Sequence, residues 1–566
     1  MKFQMKPLAM LLAVMGVVTA SGAAWAQASD AARELLLRQE QERLRFEQER
    51  ANRERAPSGV DLNSIKPAQT PVAQGGICHN IKTINYVGAN VLDAEDRAVL
   101  SAPFANKCMQ AADIQNLMGE VTKQYIDRGF TTTRAYLPAQ DLSLGVLQIL
   151  VQEGRIERFV VEGDAGKRLN LRWAVPAVAG DLLNIRQLEQ AVDQLNSVPG
   201  NKVTMDIAPG SQPGKSVVVF RNTASTPVNL QISADNQGSE PTGVNGTSAT
   251  LAVGGLLGLN ETLTVTARQS SPHTADASSD SSSVALNLPD GFATYGVSLA
   301  KSNFSTGFTT NIGNHMVTYG DSTTYALTAE RVLARDQDSR YSVVTALSQV
   351  EGGTRTVNDA GDVIQKTGRT AKTMGVGLKT STTLGGGSFY IKPEVVFGLA
   401  PIPNTISDGP QGEFTKLSMD VNYDRRFDAV GQKLGWTSNF KGQYSRDKLL
   451  SSQQILVGST SSVRGFVNNA MSGDIGYYWR NELAWHTETS VANVAIKNKL
   501  FLGFDMGRIS NHDVTMPRGS MTGYAIGLVS QIDKLSVDIS RTKARSLPSS
   551  MTIEAPQTWV RVSYSL

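Results

Sequence analysis

Residues 284–299 read VALNLPDGFATYGVSL. Val284, Leu286 and Leu288 share one face, a Pro289-Asp290-Gly291 turn follows, and Ala293, Tyr295, Val297 and Leu299 resume the period of two. Successive side chains of a strand point to opposite faces, so this is a pair of half-apolar strands joined by a tight turn. The pattern recurs in both directions. Val228, Leu230 and Ile232 alternate with Asn229, Gln231 and Ser233, and Leu263, Val265 and Ala267 with Thr264, Thr266 and Arg268. Near the end, Leu535, Val537 and Ile539 alternate with Ser536, Asp538 and Ser540.

A soluble sandwich alternates as well, so length must decide. The strand series runs for about 340 residues up to Leu566, beyond an ordinary sandwich domain. Strands of about 9–11 residues, with short turns on one side and longer polar loops on the other, fit a transmembrane β-barrel. The barrel is assigned to residues 223–566, with His273–Ser283 and Val350–Thr370 expected as long polar loops. Its last strand, from Trp559 to Leu566, turns Val560, Val562, Tyr564 and Leu566 outward. The chain holds 51 glycines, and they gather with Ser and Thr beyond residue 225, which suits short turns between many strands.

The first 26 residues read as an address. Lys2 and Lys6 precede the apolar run Leu8–Thr19, and Ala24-Trp25-Ala26 matches a signal-peptidase site, which predicts cleavage before Gln27. An uncleaved membrane anchor is the alternative; it would need about 18 or more apolar residues. Charged residues make up 19% of the chain and the net charge is +3, which gives no nucleic-acid footprint.

Residues 27–56 predict one charged helix. Ser29 or Asp30 caps it, Pro57 and Gly59 end it, and Glu34/Arg38, Arg43/Glu47 and Glu49/Arg53 are pairs of opposite sign four residues apart. Its few apolar residues make no core-facing stripe, so it is solvated, bridging, or housed in a polar cavity. At ~1.5 Å per residue it is roughly 40 Å long. Residues 57–76, with Pro57, Pro67, Pro71, Gly75 and Gly76, read as an extended linker.

Two small α/β modules follow, 77–153 and 154–222. In the first, strands are expected at Ile81–Val87, Arg134–Pro138 and Val146–Val151. A helix at Asp113–Asp127 carries Ile114, Leu117, Val121 and Tyr125 on one face. The second repeats the order: a strand at Ile156–Glu162, a helix at Ile185–Asn196, and strands at Lys202–Ala208 and Ser216–Arg221. Gly210 and Gly214-Lys215-Ser216 imitate a phosphate loop, but three residues separate the glycines where four are needed, so a hairpin turn is expected. Cys78 and Cys108 are the only cysteines; in an oxidising periplasm they should pair, the alternative being two buried free thiols. A zinc site wants four ligands, and only His79 lies near them.

Two short motifs now bring a resemblance into view. Val463-Arg464-Gly465-Phe466 lies between hairpin-like segments, and Asp505-Met506-Gly507 lies on a later strand with Asp505 on the polar face. With the helix, linker, tandem modules and barrel in this order, the chain resembles the two-partner secretion (TpsB) transporters. These belong to the superfamily that includes the outer-membrane barrel-assembly insertase. The resemblance implies sixteen strands, two POTRA modules and a plug helix inside the lumen. It also implies a lumen-folded loop whose Arg464 pairs with Asp505 on the wall, Gly507 lying beside it. The implied partners are outer-membrane lipid, the barrel-assembly machinery that inserts the chain, and a secreted exoprotein with an N-terminal secretion domain. The implied state is a monomer in the bacterial outer membrane. In such barrels the final residue is usually aromatic, and Leu566 departs from that.

The runner-up is a membrane-protein insertase of the same superfamily, which usually carries more POTRA modules and no plug helix. A solute porin needs no tandem periplasmic modules. Enzymatic work lacks a constellation: His79, His273, His315, His486 and His512 are scattered, with no paired carboxylates or nucleophile elbow. No catalytic residue, metal or cofactor is expected.

Overall fold

The computed structural model describes residues 77–566 apart from 164–167, 224, 311, 400–409, 411, 515 and 550. The signal peptide, the charged helix and the linker expected from the sequence lie outside the described residues.

Sixteen antiparallel strands close into a barrel, from Val228–Asp235 to Gln557–Ser565, and these two pair with each other. Alternation sets its two faces. On Val494–Ser510, Leu500 and Leu502 point out and are exposed, whereas Phe501 and Asp505 point in and are buried. Exposed aromatic residues gather toward both rims, as membrane barrels require. Tyr295, Tyr341, Trp436, Trp485 and Tyr564 lie near the end that carries the modules, and Tyr444, Tyr477 and Trp479 near the other. The inner face is polar and cross-braced by ion pairs such as Lys379–Glu330 at 2.9 Å and Arg268–Asp235 at 2.8 Å.

The module-side turns are short. Gly385-Gly386, Val430-Gly431 and Ala492-Asn493 each put two residues at positive φ, the hairpin geometry that matches strand twist. On the opposite side the sequence expectation needs correction. His273–Ser283 and Val350–Thr370 are mostly strand, inside Ala277–Asp290, Ser339–Asn358 and Val363–Leu384, which leaves only 272–276 and 359–362 as connections. Above the apolar band both faces of a strand meet water, so alternation vanishes while the backbone ladder continues, as in the pairs Arg355↔Lys366 and Thr354↔Thr367.

The two modules share one topology. In the three-stranded sheet of each, the first strand runs parallel to the last, Thr83–Val87 against Val146–Gln152 and Arg155–Glu162 against Lys215–Asn222. Such a parallel pair needs a crossover, and helices Ala111–Asp127 and Ile185–Asn196 supply it. Ile114, Leu117, Val121 and Tyr125 pack on Leu147, Ile149 and Val151; Leu188, Ala191 and Leu195 pack on Val218 and Phe220. The stretch expected as one strand at Ile81–Val87 is two, His79–Ile81 and Thr83–Val87. Helix Ala94–Ser101, capped by Asp93, and the short helix Leu171–Ala174 carry little apolar periodicity and escaped the sequence reading. The Gly210–Gly214 stretch links two antiparallel strands.

Cys78 and Cys108 form a disulfide across the pair His79–Ile81 and Lys107–Met109, with Cα atoms 5.3 Å apart. Glu153, between the modules, accepts bonds from Asn90 Nδ2, the Val91 amide and Tyr125 Oη at 2.8–3.0 Å. Burial alone would raise its carboxyl pKa. The bonds from Asn90, Tyr125 and Val91 outweigh that and hold it below the ordinary range.

The second module is bolted to the barrel rim. Its helix Ile185–Asn196 turns Leu188 and Leu195 inward, which leaves Glu189, Gln190, Asp193 and Gln194 facing the barrel. Gln194 Nε2 donates to the carbonyls of Gly291 and Ala293 at 3.0 Å, and Gly291 N donates to Trp173 O at 2.7 Å. Arg335, 3% exposed at its side chain, reaches Asp193 at 2.9 Å, Gln190 at 3.1 Å and Glu189 at 3.6 Å. A second bolt joins Asn170 and Asn260, which exchange bonds of 2.9 and 2.6 Å. Arg335→Ala removes a buried cation from hydrogen-bonded acceptors, a loss on the order of 2 kcal/mol. Limited proteolysis of detergent-solubilised protein should therefore release the second module faster while the barrel stays heat-resistant; an unchanged release rate sinks the bolt.

Candidate functional site

The connection between strands Gln432–Ser445 and Ile475–Val491 does not stand in water but folds into the lumen. Local chemistry shapes it. Ile455–Val457 pairs with Met471–Gly473 as a small hairpin, and the Ser459–Ser462 run between them supplies hydroxyls in place of backbone partners. Gly458 N donates to Ser462 Oγ at 3.0 Å, and Ser462 N to Ser459 Oγ at 3.1 Å. At its base Asp474, 2% exposed, accepts from Leu449 N, Gln454 Nε2 and His512 N at 2.9–3.2 Å.

The hairpin and its tip lie against the wall with apolar side chains. Val457, Val463, Phe466 and Met471 pack on Tyr478, Ile509, Met521 and Ala544, and all of them are buried. Burying Phe466 alone stabilises the seat by roughly 1.5–3 kcal/mol. An apolar island on a mostly polar wall fixes where the loop sits.

The tip carries the charge. Arg464, 5% exposed, donates Nε to Asp505 Oδ2 at 2.7 Å and Nη2 to Oδ1 at 2.8 Å, while its backbone N donates to Oδ2 at 3.0 Å. A planar guanidinium gripping a carboxylate with two parallel bonds fixes orientation as well as distance. Its third nitrogen donates to Glu482 Oε2 at 3.0 Å, and Glu482 also pairs with Lys499. The guanidinium lies 5.7 Å above the Phe501 ring. Asp505 is fully buried. Breaking a buried pair by deleting one partner costs about 3–5 kcal/mol, since the other charge is then stranded.

Three glycines make this approach fit. Gly465 sits at φ +101, where a Cβ would also lie 2.5 Å from the Lys543–Ala544 backbone. A Cβ at Gly503 would strike Arg464 Nη2 at 2.2 Å. Gly507, beside Asp505, leaves room for Val457 and Val463. The structure thus brings Val463, Arg464, Gly465, Phe466, Asp505 and Gly507 together on one patch of wall, and it places the disulfide of Cys78 and Cys108 at the far end of the first module. The sequence reading missed Glu482, Arg480, Lys499 and Gly503. Arg480 Nη1 donates to Thr460 O at 3.0 Å, which holds the limb before the tip. Glu482 and Gly503 were findable: each shares the inward face of its strand with a residue of the pair or its neighbourhood.

The chain matches the family model "Haemolysin secretion/activation protein ShlB/FhaC/HecB" over residues 214–529. Ahead of it lie a POTRA domain of ShlB type at 79–154 and a second POTRA domain at 155–209. It is 31% identical over 494 residues to the outer membrane transporter CdiB of Dickeya dadantii, across 85% of this chain and 86% of that protein. It is 26% identical to the hemolysin transporter protein HpmB of Proteus mirabilis, across 88% and 89%. The solved structure of CdiB from Escherichia coli superposes with a TM-score of 0.85 at 27% identity, across 94% of this chain and 98% of that one.

Charge reversal tests the pair. Arg464→Asp and Asp505→Arg should each unseat the tip, with a loss of about 3–5 kcal/mol, read as a lower unfolding temperature of the purified barrel and more frequent channel openings. If both single variants unfold and conduct like the unaltered protein, the pair holds nothing.

Proposed function

The chain belongs to the haemolysin secretion/activation family ShlB/FhaC/HecB, and on that premise we propose that it is an outer-membrane transporter that passes a large exoprotein from the periplasm to the cell surface. Two relatives are named as transporters, one of CdiB type and one for a hemolysin. The observation that carries the reading is the placement of two POTRA modules at the mouth of a closed sixteen-stranded barrel. A cargo taken up by those modules meets a pore, and a porin has no use for them.

The steps follow from the parts. The modules bind the exoprotein's N-terminal secretion domain by strand addition, which main-chain hydrogen bonds drive and side-chain pockets select. Among the described residues the outer strands of the two sheets are Thr83–Val87 and Arg134–Tyr136 in the first module, and Arg155–Glu162 and Val203–Pro209 in the second, with the start of Arg155–Glu162 already bridged to Leu182. The inward loop leaves its seat, and the chain passes in extended form. No ATP is available in the periplasm, so folding outside supplies direction. The passenger is a haemolysin, an adhesin or a contact-dependent inhibition toxin. The charged helix of residues 27–56 plugs the resting lumen. In support, the wall mixes Arg268, Arg480, Lys499 and Arg561 with Glu482, Asp538 and the Asp235 that pairs with Arg268, a match for a helix of mixed charge.

Deleting this chain from a strain that also encodes an exoprotein with an N-terminal secretion domain should abolish surface display of that exoprotein and leave other outer-membrane barrels at their usual levels. Depletion of those barrels instead would make the chain an insertase. Removing residues 30–56 should raise single-channel conductance; unchanged conductance together with unchanged secretion rules the plug out.

A further inference from the structure

Beyond the tip, the return limb of the inward loop is gripped from a direction the ion pair does not explain. Glu554 belongs to the last connection, between strands Leu535–Ser546 and Gln557–Ser565, on the side away from the modules. Its carboxylate accepts from three consecutive backbone amides of the loop, Val467 N at 2.9 Å, Asn468 N at 3.1 Å and Asn469 N at 2.8 Å. Asn469 Nδ2 adds a bond of 3.0 Å to the same carboxylate and one of 2.9 Å to Thr552 O. From the same connection, Leu547 and Met551 pack on the apolar cluster built by Val457, Val463 and Phe466.

Three successive N–H groups converging on one point form an anion nest, and a loop of this kind is held far more firmly with the anion than without it. Here the anion is a side chain of a different extracellular segment. The nest begins three residues after Arg464, so the limb cannot travel with the tip while the carboxylate stays in place.

We propose that Glu554 is a positioning residue for gating, the clasp by which the last extracellular connection locks the inward loop in its closed seat. This rests on the transporter reading, in which loop and lumen form the gate. Two holds then act on one loop from opposite sides of its tip: Arg464 is fixed to the wall from within, and residues 467–469 are fixed from the outer mouth. Opening needs both released. The outer clasp is the one that a segment emerging at the cell surface reaches.

The test uses purified full-length protein in planar bilayers. Glu554→Ala removes both carboxylate oxygens from the nest, Glu554→Gln keeps one oxygen and gives the other position an NH2 that cannot accept, and Arg464→Ala serves as the reference for an unseated tip. Heat-modifiable migration on gels reports that each barrel is folded, so a collapsed variant is recognised as such. Open events should rise at least about fivefold in Glu554→Ala, with Glu554→Gln between it and the unaltered protein. A maleimide-reactive cysteine at Asn468, in a Cys78→Ser, Cys108→Ser background, should label faster from outside when Glu554 is replaced. If Arg464→Ala opens the pore while folded Glu554→Ala gates and labels like the unaltered protein, the clasp is overturned and the gate stands. If neither variant changes conductance, the gating role of the loop fails along with it.

Discussion

Hydrocarbon offers no hydrogen bonds, so every amide and carbonyl that crosses it must find a partner within the chain. Closing sixteen strands on themselves is how this sequence meets that demand, and the five paired residues from Arg561↔Asp235 to Ser565↔Gln231 complete the ring. Much of the rest follows from closure. A closed ring with period-two side chains has an apolar outside and a polar inside, and its lumen is lined by hydroxyls and charges. Such a lumen is neither water nor core. Charges there are screened less than at a surface, so unpaired ones are costly and paired ones are fixed.

The Arg464–Asp505 contact belongs to that setting. A buried ion pair is weak evidence for net stability, because removing two charges from water offsets their attraction. Specificity is what it supplies: one guanidinium, one carboxylate, two parallel bonds, and a neighbouring glycine that leaves space for nothing larger. The apolar contacts of Phe466 and Val463 provide the bulk of the adhesion, and the ion pair sets the register. Adhesion without register would let the loop slide along a wall of repeating strands.

The sequence carried the barrel, because the outward residues of strands such as Thr262–Ser271 and Leu535–Ser546 must meet lipid and so must be apolar. It carried the module helices through the apolar stripes that pack on their sheets, and the ion pair through two short motifs. It did not carry the outer halves of Ser339–Asn358 and Val363–Leu384, where water on both faces erases the period. Arg335 and Glu554 were invisible for a different reason. Each is an ordinary charged residue whose meaning lies in a partner far along the chain, 142 positions away for Asp193 and Arg335 and 85 for Asn469 and Glu554. Topology, and not local pattern, brings such pairs together.

The two anchored bodies divide the ring between them. The second module sits beneath the turns at Leu257–Asn260 and Gly291 and beside Arg335, under the early strands of the barrel, whereas the loop lies on the later strands that carry Tyr478, Asp505, Met521 and Ala544. The wall left between and opposite them is lined by small hydroxyls: Thr266, Ser270, Ser302, Thr318, Ser322 and Ser342 all point inward from the early strands. Such hydroxyls offer little apolar grip, and charges among them are paired, Arg268 with Asp235 and Lys379 with Glu330. The module therefore stands under the hydroxyl-rich part of the lumen, and the loop covers the apolar part around Ile509 and Met521. On the transporter reading, a polypeptide that enters beside the module meets the hydroxyl-rich wall, and the loop keeps the apolar seat covered until it leaves.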